Sequence, residues 1–154
     1  MKEHAGGGLE AVIALAMARH GEPLTLADLA AAAGLPQNKL TRLFKRAYGL
    51  SPMRWLWSFR VILAAELIAA TPDGSLITAA ERCGFASQAH FSRRFRELFG
   101  ESPSRFRERF RQRGGEAARA SDDELAARAA RASDGDLAAR AAAKAAVAAR
   151  CLMR

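Results

Sequence analysis

The sequence predicts an all-α fold for its first 113 residues, and three observations carry that expectation. Apolar residues return at the 3.6-residue period of a helix, while the strict alternation of a strand is almost absent. Helix start and stop signals recur at regular places. A block of about fifty residues occurs twice.

The elements follow in chain order. Residues 1–8 read as a flexible lead, with a first helix beginning near Leu9. Thr25 and Ser75 are hydroxyls placed to cap short helices that stop near Gly34 and Gly84. Ser51-Pro52 and Ser102-Pro103 each set a capping hydroxyl before a proline at the first helical position, where its missing N–H is no loss. Gly49 and Gly100, just upstream, suit left-handed helix stops.

Leu26, Leu29, Ala30, Gly34 and Leu35 return fifty residues later as Leu76, Ala79, Ala80, Gly84 and Phe85. The offset then becomes fifty-one. Leu40, Thr41, Arg42, Phe44, Lys45, Tyr48 and Gly49 correspond to Phe91, Ser92, Arg93, Phe95, Arg96, Phe99 and Gly100. Each copy is a short alanine-rich helix, a Gly-apolar turn and a longer basic-aromatic helix, the outline of a helix-turn-helix. The expected organisation is two helix-turn-helix subdomains, 9–50 and 71–113, joined by a long central helix over 51–70.

The second helix of each copy has two faces. Leu40, Leu43, Phe44 and Ala47 form an apolar stripe in the first, leaving Gln37, Asn38, Thr41, Arg42, Lys45 and Arg46 on other sides. In the second, Phe91, Phe95, Leu98 and Phe99 are expected inward, with Ser87, Gln88, Ser92, Arg93 and Arg96 outward. Arginine, glutamine, asparagine and hydroxyl groups reach base edges and phosphates. A merely solvated charged face is the plain alternative, but acids for pairing are nearly absent and the same chemistry repeats in both copies.

Pro52 to Ala70 runs nineteen residues without a helix breaker. At about 1.5 Å per residue such a rod is about 28 Å long, close to the ~34 Å repeat of the major groove. Trp55, Phe59 and Leu63 lie on one side of it, and Trp57, Val61, Ala64 and Ile68 on another. A helix apolar on two sides is buried between two bodies, so both tryptophans are expected to pack rather than stack on bases.

Beyond Gly114-Gly115 the chain becomes an Ala/Arg-rich C-terminal tail, 114–154, with ASDDELAARAAR followed by ASDGDLAARAAA. Ser121 and Ser133 start capping boxes, the second the weaker, and Leu125, Leu137 and Val147 offer little surface for docking. A partly helical or disordered tail is expected.

Charge narrows the function. Lys+Arg number 24 against 16 Asp+Glu, a net charge of +8, and residues 1–113 hold 17 of the bases and 10 of the acids. A polyanionic partner is indicated, nucleic acid or an acidic membrane surface. Membrane binding is disfavoured because the basic residues alternate with buried aromatics. Two cysteines and three scattered histidines suit neither a disulfide framework nor a zinc site, and no cofactor is expected. No membrane span and no signal peptide are indicated, which makes the cytoplasm the expected compartment. Cys83, before Gly84, is expected to be a small core residue, and His90 has no Asp or Ser spaced to form a triad, so no enzyme is expected.

The stretches GLPQNKLTRLFKRAYGLSP, RVILAAELI and AAERCGFASQAHFSRRFRELFGESPSRFR resemble the DNA-binding domain of AraC/XylS-type bacterial transcription regulators, over about Leu9 to Arg113. The resemblance implies seven helices in two helix-turn-helix subdomains on a long central helix, with both recognition helices addressing one face of double-stranded DNA. It places Asn38, Thr41 and Arg42 against DNA in the first subdomain, and Gln88, Ser92, Arg93 and Arg96 in the second. RNA polymerase is the further partner it implies, and a module that docks polymerase or another acidic protein without reading an operator is the competing function. Two positions depart from the family pattern. Pro36 stands where a capping Ser or Thr is usual, and Ala79 where Ile or Val is usual, a truncation worth about 1–3 kcal/mol in a core. Most such regulators carry a sensory domain before this unit. With only Met1 to Gly8 ahead of the first helix, no small-molecule effector is expected for this chain, which is either a stand-alone regulator or a fragment.

Overall fold

The structure, a computed structural model, describes residues 3–117, with side chains placed for 7–113. Those residues form seven helices and no strand: α1 (Glu3–Ala18), α2 (Leu26–Ala33), α3 (Gln37–Tyr48), α4 (Pro52–Ala70), α5 (Leu76–Arg82), α6 (Gln88–Phe99) and α7 (Pro103–Ala117). The repeated tail and its two capping boxes lie outside the described residues.

Local chemistry sets most boundaries. The Thr25 hydroxyl accepts from the Asp28 N–H while the Asp28 carboxylate accepts from the Thr25 N–H at 2.8 Å, a reciprocal capping box that starts α2. Those bonds hold the Asp28 carboxyl below the usual carboxylate range. Ser51, Ser75 and Ser102 each accept from the N–H three residues on, starting α4, α5 and α7. Gly34, Gly49, Gly84 and Gly100 all take positive φ, closing the helices before them in a conformation only glycine adopts freely.

Two boundaries differ from the sequence expectation. The lead expected to be flexible over 1–8 is helical from Glu3 onward. Packing decides this against glycine's poor propensity, since Gly8 lies buried, with Leu35 and Ala33 at 3.4 and 3.7 Å from where a Cβ would stand. At the other end α7 runs through Gly114-Gly115 to Ala117. A helical glycine costs only about 1 kcal/mol, which weakens a helix without having to stop it.

The core is organised around α4. Trp55 is fully buried against Phe44 and Tyr48 of α3, at ring-centroid distances of 5.7 and 6.2 Å. Two residues on, Trp57 turns to Phe85 and His90 of the second subdomain, at 5.2 and 4.7 Å. The two apolar sides of α4 therefore serve different subdomains, and both tryptophans pack against protein. In the second subdomain an aromatic chain runs from Phe91 through Phe95 to Phe106 and Phe110, with centroids 4.9–5.6 Å apart.

Candidate nucleic-acid interface

The second helix of each copy carries the basic, polar face. On α3, Leu40 and Phe44 are buried, while Gln37, Asn38, Arg42, Lys45 and Arg46 are exposed and Thr41 is half-buried. On α6, Phe91 and Phe95 are buried, Ser87, Gln88, Arg93 and Arg96 are exposed, and Ser92 is half-buried. One inward expectation fails. Phe99 remains 38% exposed: its ring packs against Phe95 and Phe106, at 4.7 and 5.5 Å between centroids, while it also lines an apolar groove of about 480 Å³ between α4, α6 and α7.

The cations on these faces are uncommitted. Among the described residues, no ion pair engages Arg42, Lys45, Arg46, Arg93 or Arg96. Carboxylates take other arginines: Arg19 pairs with Glu22, Arg94 with Glu97, Arg109 with Glu101 and Arg111 with Asp73. Lys39 and Arg54 are further exposed cations near the first face that the sequence reading did not single out as contacts.

Some polar side chains do hold their own helix. The Asn38 side-chain oxygen accepts from the Lys39 N–H at 2.8 Å, and the Thr41 hydroxyl donates to the Gln37 carbonyl at 2.9 Å. Ser87 caps α6, its hydroxyl accepting from the His90 N–H at 3.3 Å, so it orients the helix as well as facing outward. Pro36 supplies no side-chain cap to α3. Gln88 and Ser92 make no side-chain hydrogen bond among the described residues, which leaves them available.

Cys83 is fully buried. His90 packs edge-on against Trp57 and Phe85, its pKa pushed down by burial first and then by Arg94 and Arg93. Among the described residues no cluster of His, Cys, Asp and Glu could hold a metal ion, and no helix is long and apolar enough to cross a membrane.

Arg60 is the functional candidate that sequence reasoning missed. It is 2% exposed at the middle of α4, where it meets carbonyls from both subdomains. A single arginine within the apolar run of α4 gave no signal of that role.

Comparison with known proteins matches this geometry. A family model described as a helix-turn-helix domain matches residues 29–109. The regulator GbdR of Pseudomonas aeruginosa is 38% identical over 95 residues, which are 62% of this chain and 26% of GbdR. The chain thus spans about a quarter of that curated relative. A crystal structure of a probable AraC family transcriptional regulator from Rhodopseudomonas palustris is 30% identical, with a TM-score of 0.60 over 67% of this chain and 96% of that one. The DNA-binding domain of AdpA, solved in complex with a target DNA, is 34% identical, with a TM-score of 0.62 over 70% of this chain and 95% of that one. With its duplicated helix-turn-helix on one central helix, the chain belongs to the AraC-type helix-turn-helix family of transcription regulators.

Proposed function

We propose that this chain is a sequence-specific regulator that binds double-stranded DNA in the cytoplasm, with α3 and α6 entering successive major grooves. One observation carries the proposal: two exposed faces, each mixing base-reading amides or hydroxyls with uncommitted cations, are mounted on one 19-residue helix. At about 1.5 Å per residue that helix matches the scale of the ~34 Å groove repeat. A module docking an acidic protein would use the cations and leave Gln37, Gln88 and Ser92 without a task. The bound target DNA of AdpA lends support by likeness.

The test is binding to a duplex selected from random sequence, compared with unselected DNA, over a range of salt. If Arg42, Lys45, Arg46 and Arg96 each meet a phosphate, log K falls against log salt with a slope of about −3 to −4. Arg93→Ala should weaken the selected duplex by about 1–3 kcal/mol, roughly 5- to 150-fold, and unselected DNA much less. Equal losses on both would assign Arg93 to the backbone. Failure of selection to enrich any sequence would overturn operator recognition.

A further inference from the structure

The α1–α2 turn of the first subdomain and the α5–α6 turn of the second come into backbone contact beside the middle of α4. At Gly21 a Cβ would stand 2.9 Å from the Arg82 carbonyl oxygen, and at Gly84 a Cβ would stand 2.8 Å from the His20 carbonyl oxygen. Contacts that short are open only to glycine. Arg60 of α4 fills the remaining space. One terminal nitrogen donates to the Glu22 carbonyl at 2.5 Å and the other to the Gly84 carbonyl at 3.4 Å. Its guanidinium carbon lies 4.9 Å from the centre of the Trp57 ring, and its Nε is buried without a partner. No carboxylate pairs with Arg60 among the described residues. Burial pushes its pKa down, yet a guanidinium starts so high that the charge stays.

We infer that Arg60 is a positioning residue that sets the spacing and angle between the two recognition helices. A buried cation held without a carboxylate is a poor source of stability, since desolvation offsets much of what its hydrogen bonds return. Its planar fork is directional, however, and here each arm is taken by a carbonyl of a different subdomain. Both arms are satisfied at one relative placement of the turns. Each subdomain keeps its own aromatic core against α4 or α7, so loss of Arg60 loosens the relation between them and spares the parts. The inference rests on the two-groove function proposed above. Binding by the second helix becomes intramolecular once the first is seated, and that gain is large only when the two sites are held at the span of the DNA.

The experiment uses the full chain, a selected two-box duplex, each box alone in unrelated flanks, and the two-box duplex with one base pair inserted. Arg60→Met should bind single boxes within about 2-fold of the parent but the intact duplex at least about 10-fold more weakly, and the insertion that penalises the parent should scarcely affect it. Gly21→Ala leaves the guanidinium in place and forces the turns apart, and should act in the same direction. A second readout needs no DNA: spin labels at Lys39→Cys and Ala89→Cys, with Cys151→Ala and the buried Cys83 retained. The parent should give one narrow distance, and Arg60→Met a broad distribution. Unchanged spacing preference or label distance would overturn the inference, as would equal losses on single boxes and intact duplex. If the parent itself fails to distinguish two boxes from one, the two-groove function falls, and the label distances decide the role of Arg60.

Discussion

The two helix-turn-helix copies share a frame but are held together differently. In the first, the aromatic cluster runs out of α3 into the central helix, from Phe44 through Trp55 to Phe59, the last two stacked at 5.6 Å. In the second, it leaves the central helix and continues from Phe95 into α7 through Phe106 and Phe110. Their reading helices differ as well. α3 starts at an uncapped proline and turns Asn38 and Thr41 onto its own backbone, whereas α6 is capped by Ser87 and leaves Gln88 and Ser92 unengaged. The difference is one of engagement: the first face ties two of its polar side chains to its own backbone, and the second leaves Gln88 and Ser92 open.

The largest lesion that probes this comparison is loss of a core ring. Phe44→Ala and Phe95→Ala each remove a fully buried phenyl and should cost about 3–5 kcal/mol. Their consequences should separate. Phe44→Ala should alter Trp55 fluorescence and speed amide exchange in α3 and α4, and Phe95→Ala should speed exchange in α6 and α7. Identical exchange patterns from both variants would mean that the copies form one cooperative unit, and the contrast in their cores would carry no weight.

A smaller effect tests the helix starts. Ser87→Ala removes the α6 cap and should lower stability by about 1 kcal/mol. Pro36→Ser offers α3 a cap but gives up the stiffness that proline imposes on the unfolded chain, worth about 0.4–1 kcal/mol. The two changes nearly cancel, so thermal melting should place Pro36→Ser within about 0.5 kcal/mol of the parent. A gain well above that would make the missing cap a real weakness of the first copy.

What was legible in the sequence is what is local. Thr25, Ser51 and Ser75 cap the helices they were expected to cap, and Pro52 to Ala70 is helical over its full predicted length, because caps and breakers act on backbone a few residues away. The fifty-residue duplication then supplied the fold, and the uncommitted faces of α3 and α6 followed from periodicity. The start of α1 was not legible, because burial of Gly8 by another helix outweighs its propensity. Phe99 follows the inward period and packs on Phe95 and Phe106, but an open groove leaves its outer side exposed. Arg60 was the least legible of all. Its partners are carbonyl groups of residues 38 and 24 positions away, and a carbonyl carries no trace of residue type.

His90 gives the comparison its finest probe, since its counterpart at the fifty-one-residue offset is Lys39, an exposed lysine with no imidazole. Near the start of α6, the His90 ring lies edge-on to Trp57 and Phe85, and the Arg94 Nε–H points at its Nε2 from 3.5 Å. That contact needs the ring lone pair, so it belongs to neutral histidine. Burial, then Arg94 and Arg93, hold the folded pKa below the ordinary 6.5, with Glu97 opposing them weakly. The unfolded chain therefore binds this proton more readily than the folded one. Stability from His90 is complete above about pH 6.5 and is lost as pH falls through the depressed folded pKa. Between pH 7 and 5 the parent should lose more of its denaturation midpoint than His90→Gln, which keeps a polar side chain and cannot titrate. Over the same interval amide exchange should quicken at α6 beyond its intrinsic pH dependence, with no matching change at α3. Because the ring is only half-buried, the shift is the smallest expected here, and a parallel response of both helices would place its origin outside the second copy.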